Sequence, residues 1–166
     1  MELWDGYRKD GTLAGADLVR GEIVPEGLYH LVCEIIVEHQ DGSILAMQRD
    51  PSKPNHPGAW ETTAGGSALK GEDTLTCAKR ELYEETGIAA KQLTLLGSEV
   101  SDPAHSIFYM YRAELTGEKP GITLQPGETV DYRWISPEEF PEFMAHDMIP
   151  SQRRRYHDFL VERGYL

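Results

Sequence analysis

A run of acidic residues at fixed spacing between Gly66 and Ile88, GSALKGEDTLTCAKRELYEETGI, constrains this chain more than any other feature. Glu81, Glu84 and Glu85 stand at i, i+3 and i+4, so on a helix their carboxylates share one face. A helix is expected there. Glu72 and Asp73 give it an acidic first turn, and Gly87 stops it as a C-terminal glycine cap. Leu75, Ala78 and Leu82 recur at three- and four-residue spacing and make its apolar face. Three carboxylates held this close repel one another, and packing does not call for them. A glutamate-rich face taken alone is most often just solvated. A hard divalent cation gives the cluster a purpose, because Mg²⁺ takes oxygen ligands and commonly shares its shell with substrate phosphates.

Charge narrows the partners. The formal net charge is −12 and the pI about 4.9, which disfavours binding to a nucleic-acid polymer or an anionic membrane. An acidic chain that handles phosphates needs local cations, which again points to bound metal. With 166 residues, 40% of them hydrophobic, residues 1–166 are expected to fold as one domain around one core. Cys33 lies in a strand-like run and Cys77 inside the acidic helix, neither at metal-ligand spacing, so both read as reduced packing residues of a cytoplasmic protein. No N-terminal apolar segment or long apolar run supports secretion or membrane spanning. A homodimer is compatible with all of this.

Along the chain, residues 1–27 read as a short antiparallel arm with turns at Asp5-Gly6 and Asp10-Gly11. Its Arg20 reads first as a surface ion pair and second as a phosphate contact. Leu28 to His39 is a buried strand, turned at Asp41-Gly42 into a second strand, Ser43 to Arg49. His30 reads as a histidine satisfied within the sheet. Asp50 to Pro57 is a proline-rich loop, followed by a short strand that brings Gly65-Gly66 up to the helix. Strands are expected at Gln92–Val100, Ser106–Glu114 and Thr129–Ile135, with a Gly/Pro-rich loop at Thr116–Gly127. Ser136-Pro137 is expected to open a helix with Ser136 as N-cap. Ser151 to Arg163 is expected to form one amphipathic helix. Its Arg153, Arg154 and Arg155 read as a solvated face or as partners for surplus carboxylates.

The stretch from Gly66 to Ile88 resembles the Nudix box, G-x5-E-x7-R-E-U-x-E-E-x-G-U with U aliphatic, and every fixed position is filled. The resemblance implies an α/β fold, an α/β/α sandwich with a mixed β-sheet. Upstream, Tyr29-His30-Leu31, Asp41-Gly42, Gln48-Arg49, Ser52-Lys53 and Pro57-Gly58-Ala59-Trp60 look like the isopentenyl-diphosphate-isomerase-like branch of that superfamily. True isomerases of the branch carry an essential cysteine and a metal-binding histidine just after the PGxW segment. The matching places here are Gly65 and Ser67, which can do neither job. Hydrolysis is therefore the expected chemistry, with an isomerase-like enzyme or a catalytically silent nucleotide-binding domain as alternatives. The box glutamates are not eroded, which speaks against the silent reading.

What the resemblance implies is attack of water on a diphosphate, with Mg²⁺ (or Mn²⁺) as cofactor. Glu81, Glu84, Glu85 and the Gly65 carbonyl would hold the metal, and Glu72 would ligate or bridge through water. Arg80 would orient a box carboxylate. Glu84 is the first choice of general base, with Glu128 and Asp131 as alternatives. The substrate is a small diphosphate, by default a nucleoside diphosphate derivative, with prenyl and sugar diphosphates open. Its second group would meet the arm, the Asp50–Pro57 loop, and the strand with His105, Phe108, Tyr109 and Tyr111.

Overall fold

A computed structural model describes residues 1–166. Its central strand is β3, His30–His39, in which alternate side chains point to opposite faces. Leu31, Cys33, Ile35 and Val37 fall on one side and Ile36 on the other, each in a separate hydrophobic cluster. Beside β3 runs β8, Ser106–Leu115, parallel and in unbroken register from His30↔Ser106 to His39↔Leu115. On its other side lies β6, Thr63–Ser67, antiparallel, with Cys33↔Gly66 and Glu34↔Gly65 as partners. The rest of the seven-stranded sheet is antiparallel: β4 (Ile44–Arg49), β5 (Trp60–Glu61), β7 (Thr94–Ser101) and β9 (Thr129–Ile135). One parallel pair among antiparallel ones makes the sheet mixed.

The expected turn at Asp41-Gly42 is present: Gly42 has φ 85°, a conformation open to glycine, and the Ser43 N–H donates to Asp41 Oδ1. The hairpin opens at once, however. Only Glu38↔Ile44 pairs β3 with β4, which then turns to β9 and β5 and leaves room for β6.

Helices cover both faces, giving the expected α/β/α sandwich. On one side packs α1, Thr74–Thr86, burying Cys77, Ala78 and Leu82 against the odd-numbered face of β3. Glu72 and Asp73 do not form the expected acidic first turn but precede the helix: Asp73 is its N-cap, accepting from the Thr76 N–H at 2.7 Å, and Gly87 caps the other end in the left-handed conformation with φ 77°. Leu75 was expected on the buried face but is 40% exposed; Cys77 fills that place. On the other side lie α2 (Phe140–His146), α3 (Pro150–Arg155) and α4 (His157–Glu162). Phe140, Phe143, Phe159 and Leu160 from these helices bury Ile36, Ile44 and Met110. No helix is long and apolar enough to cross a membrane.

Two helix expectations are corrected. Ser136 caps only a turn: its Oγ accepts from the Glu139 N–H while Glu139 Oε2 accepts from the Ser136 N–H, and the helix starts at Phe140. The single helix over 151–163 is two, broken where Tyr156, fully buried, anchors the turn between them.

The arm is a separate two-stranded sheet of β1 (Leu3–Tyr7) and β2 (Leu13–Val19), tied to the domain by reciprocal Tyr7–Tyr29 backbone hydrogen bonds of 2.8 and 2.9 Å. Its Trp4 is buried and stacks on His30, ring centroids 4.2 Å apart. Burial lowers the His30 pKa to about 4, so it meets the indole as a neutral ring.

Candidate functional site

The site forms where β6 runs into α1. Gly65 and Gly66 are there because nothing larger fits. A Cβ on Gly65 would sit 2.0 Å from the Cys33 carbonyl oxygen, and one on Gly66 would sit 2.6 Å from the Glu81 carboxylate. The two glycines let the strand lie flush against both β3 and the acidic face of α1.

Arg80 organises that face. Its Nε and Nη2 donate to Glu72 at 2.7 and 2.9 Å, its Nη1 to Glu81 at 2.6 Å and Glu84 at 3.2 Å, and Nη2 also to the Ser67 carbonyl at 3.1 Å. One guanidinium thus holds three of the four box glutamates, as a planar five-donor fork can. Glu72, expected as a possible metal contact, is committed instead to Arg80 and to the Leu69 N–H, and does not line the cleft.

Glu85 is the exception. It is buried, and its one hydrogen bond is the Gly65 N–H at 3.2 Å. Burial first, then the negative charge of Glu81, Glu61 and Glu128, drives its pKa well above the usual carboxylate range. Glu81 is likewise raised by burial, against the pull of Arg80. A carboxylate in such a place takes up either a proton or a cation. The donors are all oxygen, the kind a hard divalent ion takes, but no group of three or more His, Cys, Asp or Glu side chains is arranged to hold a metal ion as the structure stands.

These groups line a cleft of about 230 Å³ containing Gly65, Arg80, Glu81, Glu84, Glu85 and Glu128. Glu128 comes from the loop before β9, its carboxylate bound by Lys53. Asp131 is not in this company. It faces away on β9, paired opposite Gln48, and Oδ1 accepts from the Tyr132 N–H.

The cleft opens past Gly65 and Glu85 into a larger one of about 600 Å³, floored by the even-numbered face of β3. Lys53, Asn55 and His56 of the proline-rich loop line it, as does Arg20 of the arm. Of the aromatic residues on β8, only Phe108 does. Tyr111 is buried on the α1 side, its hydroxyl 2.6 Å from Thr74 Oγ1, while Tyr109 packs in the same core and His105 bonds back to the Leu28 carbonyl.

The profile of the family described as NUDIX domain matches residues 28–159. The chain belongs to the Nudix family. Its sequence is 31% identical over 144 residues to an uncharacterized Nudix hydrolase of Listeria monocytogenes, covering 84% of this chain and 82% of that one. An isopentenyl-diphosphate Delta-isomerase of Rhodobacter capsulatus is 32% identical over 119 residues, covering 66% and 65%. The fold is similar to that of DR0079 from Deinococcus radiodurans, with a TM-score of 0.71 at 18% identity over 88% and 91% of the two chains. The protein is accordingly a Nudix hydrolase, and the family implies hydrolysis of nucleoside diphosphate derivatives.

Other parts of the Nudix cleft are set by pairings across the fold. Of the two readings of Arg155, solvated or paired with a carboxylate, the second holds: it is buried, Nε and Nη2 donate to both oxygens of Glu34 at 2.9 and 2.6 Å, and its guanidinium lies 4.1 Å over the Phe108 ring. Gln152 donates to Thr63 Oγ1 and accepts from Thr62, locking α3 to the strand that carries the glycines. Arg49 holds the half-buried Glu61 at 2.9 Å. The available signal was Glu34 and Glu38, two charges on one face of an otherwise apolar strand, which had to find cations. They find Arg155 and Arg163.

Proposed function

We propose that this Nudix hydrolase cleaves the diphosphate linkage of a nucleoside diphosphate derivative in a reaction that depends on a divalent metal. The observation that carries the reading is Glu85: a buried carboxylate without a cationic partner, at the junction of the glutamate cleft and the larger polar cleft. Glu81, Glu84, Glu85 and the Gly65 carbonyl would hold Mg²⁺ or Mn²⁺. When bound, such an ion neutralises phosphate oxygens and makes water a better nucleophile at neutral pH.

The remaining work falls to the chain. Glu84 accepts the proton of the attacking water at its carboxylate. It is 43% exposed where Glu81 is 13%, so it is the box glutamate that water reaches, and Arg80 fixes its orientation. Glu128, neutralised by Lys53, borders the same water and serves as the second candidate base. Arg80 keeps Glu81 and Glu84 together against their mutual repulsion.

The larger cleft supports a hydroxylated or charged second group. Four of its 22 lining residues are hydrophobic, and Arg20, Arg49, Lys53, Arg154 and Arg155 are five of the chain's 16 Lys and Arg residues. A prenyl chain would take water from the solvent-facing side of those ion pairs and offer them no hydrogen bond in exchange. The isomerase alternative, raised by the Rhodobacter relative, meets a further difficulty. Cys33 and Cys77 are both fully buried, and neither sulfur lines either cleft.

The test is a panel of nucleoside triphosphates, nucleoside diphosphate sugars, dinucleoside polyphosphates and isopentenyl diphosphate, with products read by mass and NMR. The expected outcome is cleavage of a nucleoside diphosphate derivative with Mg²⁺ or Mn²⁺, none in excess chelator, and no dimethylallyl diphosphate. Full activity in chelator would overturn the metal reading, and a shifted double bond with the diphosphate intact would restore the isomerase.

A further inference from the structure

We infer that Arg20 is a substrate-binding residue, a clamp for the diphosphate delivered by the N-terminal arm; the inference rests on the diphosphate reading above. Arg20 is the one Lys or Arg that lines both clefts, so it stands where a diphosphate bridging them has to pass.

The other nearby cations are already engaged. Arg80 is saturated by Glu72, Glu81, Glu84 and the Ser67 carbonyl. Arg49 is held by Glu61 largely out of solvent, Lys53 by the half-exposed Glu128, Arg155 by Glu34, and Arg154, though exposed, by both oxygens of Glu99. Arg20 has only Glu2, at 3.1 Å, and is 59% exposed. An exposed pair of this kind is weak, and a phosphate offering two oxygens to the guanidinium fork displaces it readily.

The arm also holds this arginine in place, which a casual surface pair would not need. The Arg20 N–H donates to the Glu2 carbonyl at 3.0 Å, and Glu2 Oε1 accepts from the Trp4 indole at 2.8 Å. Trp4 in turn lies flat on His30 at the start of β3. The arm's opposite side grips the loop that leads into α1. There Lys70 N–H donates to the Leu3 carbonyl, Gly71 N–H to Asp5, and Lys70 Nζ to Asp17 at 2.6 Å. One element therefore braces the start of the acidic helix and carries a loosely engaged cation to the mouth of its cleft.

The experiment is calorimetric titration of α,β-methylene-ADP, in excess Mg²⁺, into the full chain and its R20A, R20K and E2Q variants. The analogue cannot be hydrolysed at the bridging carbon, so binding is read apart from turnover. R20A should bind about tenfold more weakly or worse, R20K should recover most of the affinity, and E2Q should bind at least as tightly as the natural chain. On a cleaved substrate, R20A should raise KM by more than it lowers kcat. Unchanged affinity in R20A would overturn the clamp, and so would a loss that accompanies a lowered melting temperature and that R20K fails to rescue. Arg20-dependent binding by a chain that cleaves nothing on the panel would sink the hydrolase reading and leave the clamp standing.

Discussion

Two adjacent glycines, Gly65 and Gly66, should respond to the same substitution in opposite ways. In G66A the new methyl group would lie 2.6 Å from all three atoms of the Glu81 carboxylate. Ordinary carbon contacts sit near ~3.5 Å, so the carboxylate has to retreat by about 1 Å. It is the end of a flexible side chain and can do so, leaving the backbone undisturbed; stability should change by less than about 1 kcal/mol. The site does not tolerate the move as easily. A shift of ~1 Å in a positioned group costs on the order of a hundredfold in rate, and Glu81 also loses its 2.6 Å bond to Arg80. In G65A the methyl would lie 2.0 Å from the Cys33 carbonyl oxygen and 3.0 Å from Glu34 Cα, both backbone atoms of the central strand. β6 has to part from β3, at a cost of about 3 kcal/mol or more, and the melting temperature should drop by roughly 6–12 °C. Thermal unfolding in chelator, together with metal titration by calorimetry and steady-state turnover, separates the two. A G66A enzyme with natural metal affinity and turnover would refute the placing of Glu81 in the metal site. A G65A chain as stable as the natural one would refute the strand contact.

Without metal, Glu85 is a liability. Its folded pKa is raised by burial and by Glu81, Glu61 and Glu128, so the folded state favours the neutral acid. The contribution of Glu85 to the stability of the metal-free chain should therefore be full below the ordinary carboxylate pKa and be lost as pH rises through its raised value. E85Q in chelator should flatten that fall and melt higher than the natural chain at neutral pH, while binding metal far more weakly; urea unfolding across pH checks the sign. The Glu34–Arg155 pair should behave differently. R155M leaves Glu34 buried and unpaired, costing about 3–5 kcal/mol at neutral pH. Burial already raises the Glu34 pKa against the pull of Arg155, so the loss should shrink as acid protonates Glu34, and a loss independent of pH would show that Arg155 matters by packing alone.

The legible parts of the molecule are those where local chemistry has one solution. The Gly87 stop, the strand at His30–His39 and the spacing of the four glutamates could be read directly, since propensity, spacing and charge all agree, whereas Asp73, read as part of an acidic first turn, proves to be the N-cap. Errors fell where tertiary contacts decide. Leu75 fits the helical period but is 40% exposed. The residues 151–163 have helical periodicity throughout, yet burying the whole of Tyr156 breaks them in two. The arginine run looked uniform, while the fold sends Arg154 to solvent-side Glu99 and buries Arg155 on Glu34, a pairing across 121 residues that no local pattern encodes.

One strand explains why this site has two halves. The odd side chains of β3 are apolar and seat α1, so that side carries the carboxylates of the helix. The even positions Val32 and Glu34 floor the larger cleft, so that side carries arginines and polar groups. In the function proposed above, the diphosphate would lie against the first side and its second group against the other. The two halves meet at Gly65 and Gly66, which lie opposite Glu34 and Cys33 and line both clefts. Any side chain at these positions would move either β3 or Glu81. The glycines therefore shape the two clefts as much as the glutamates do, since they keep β3 and the Glu81 carboxylate in place between them.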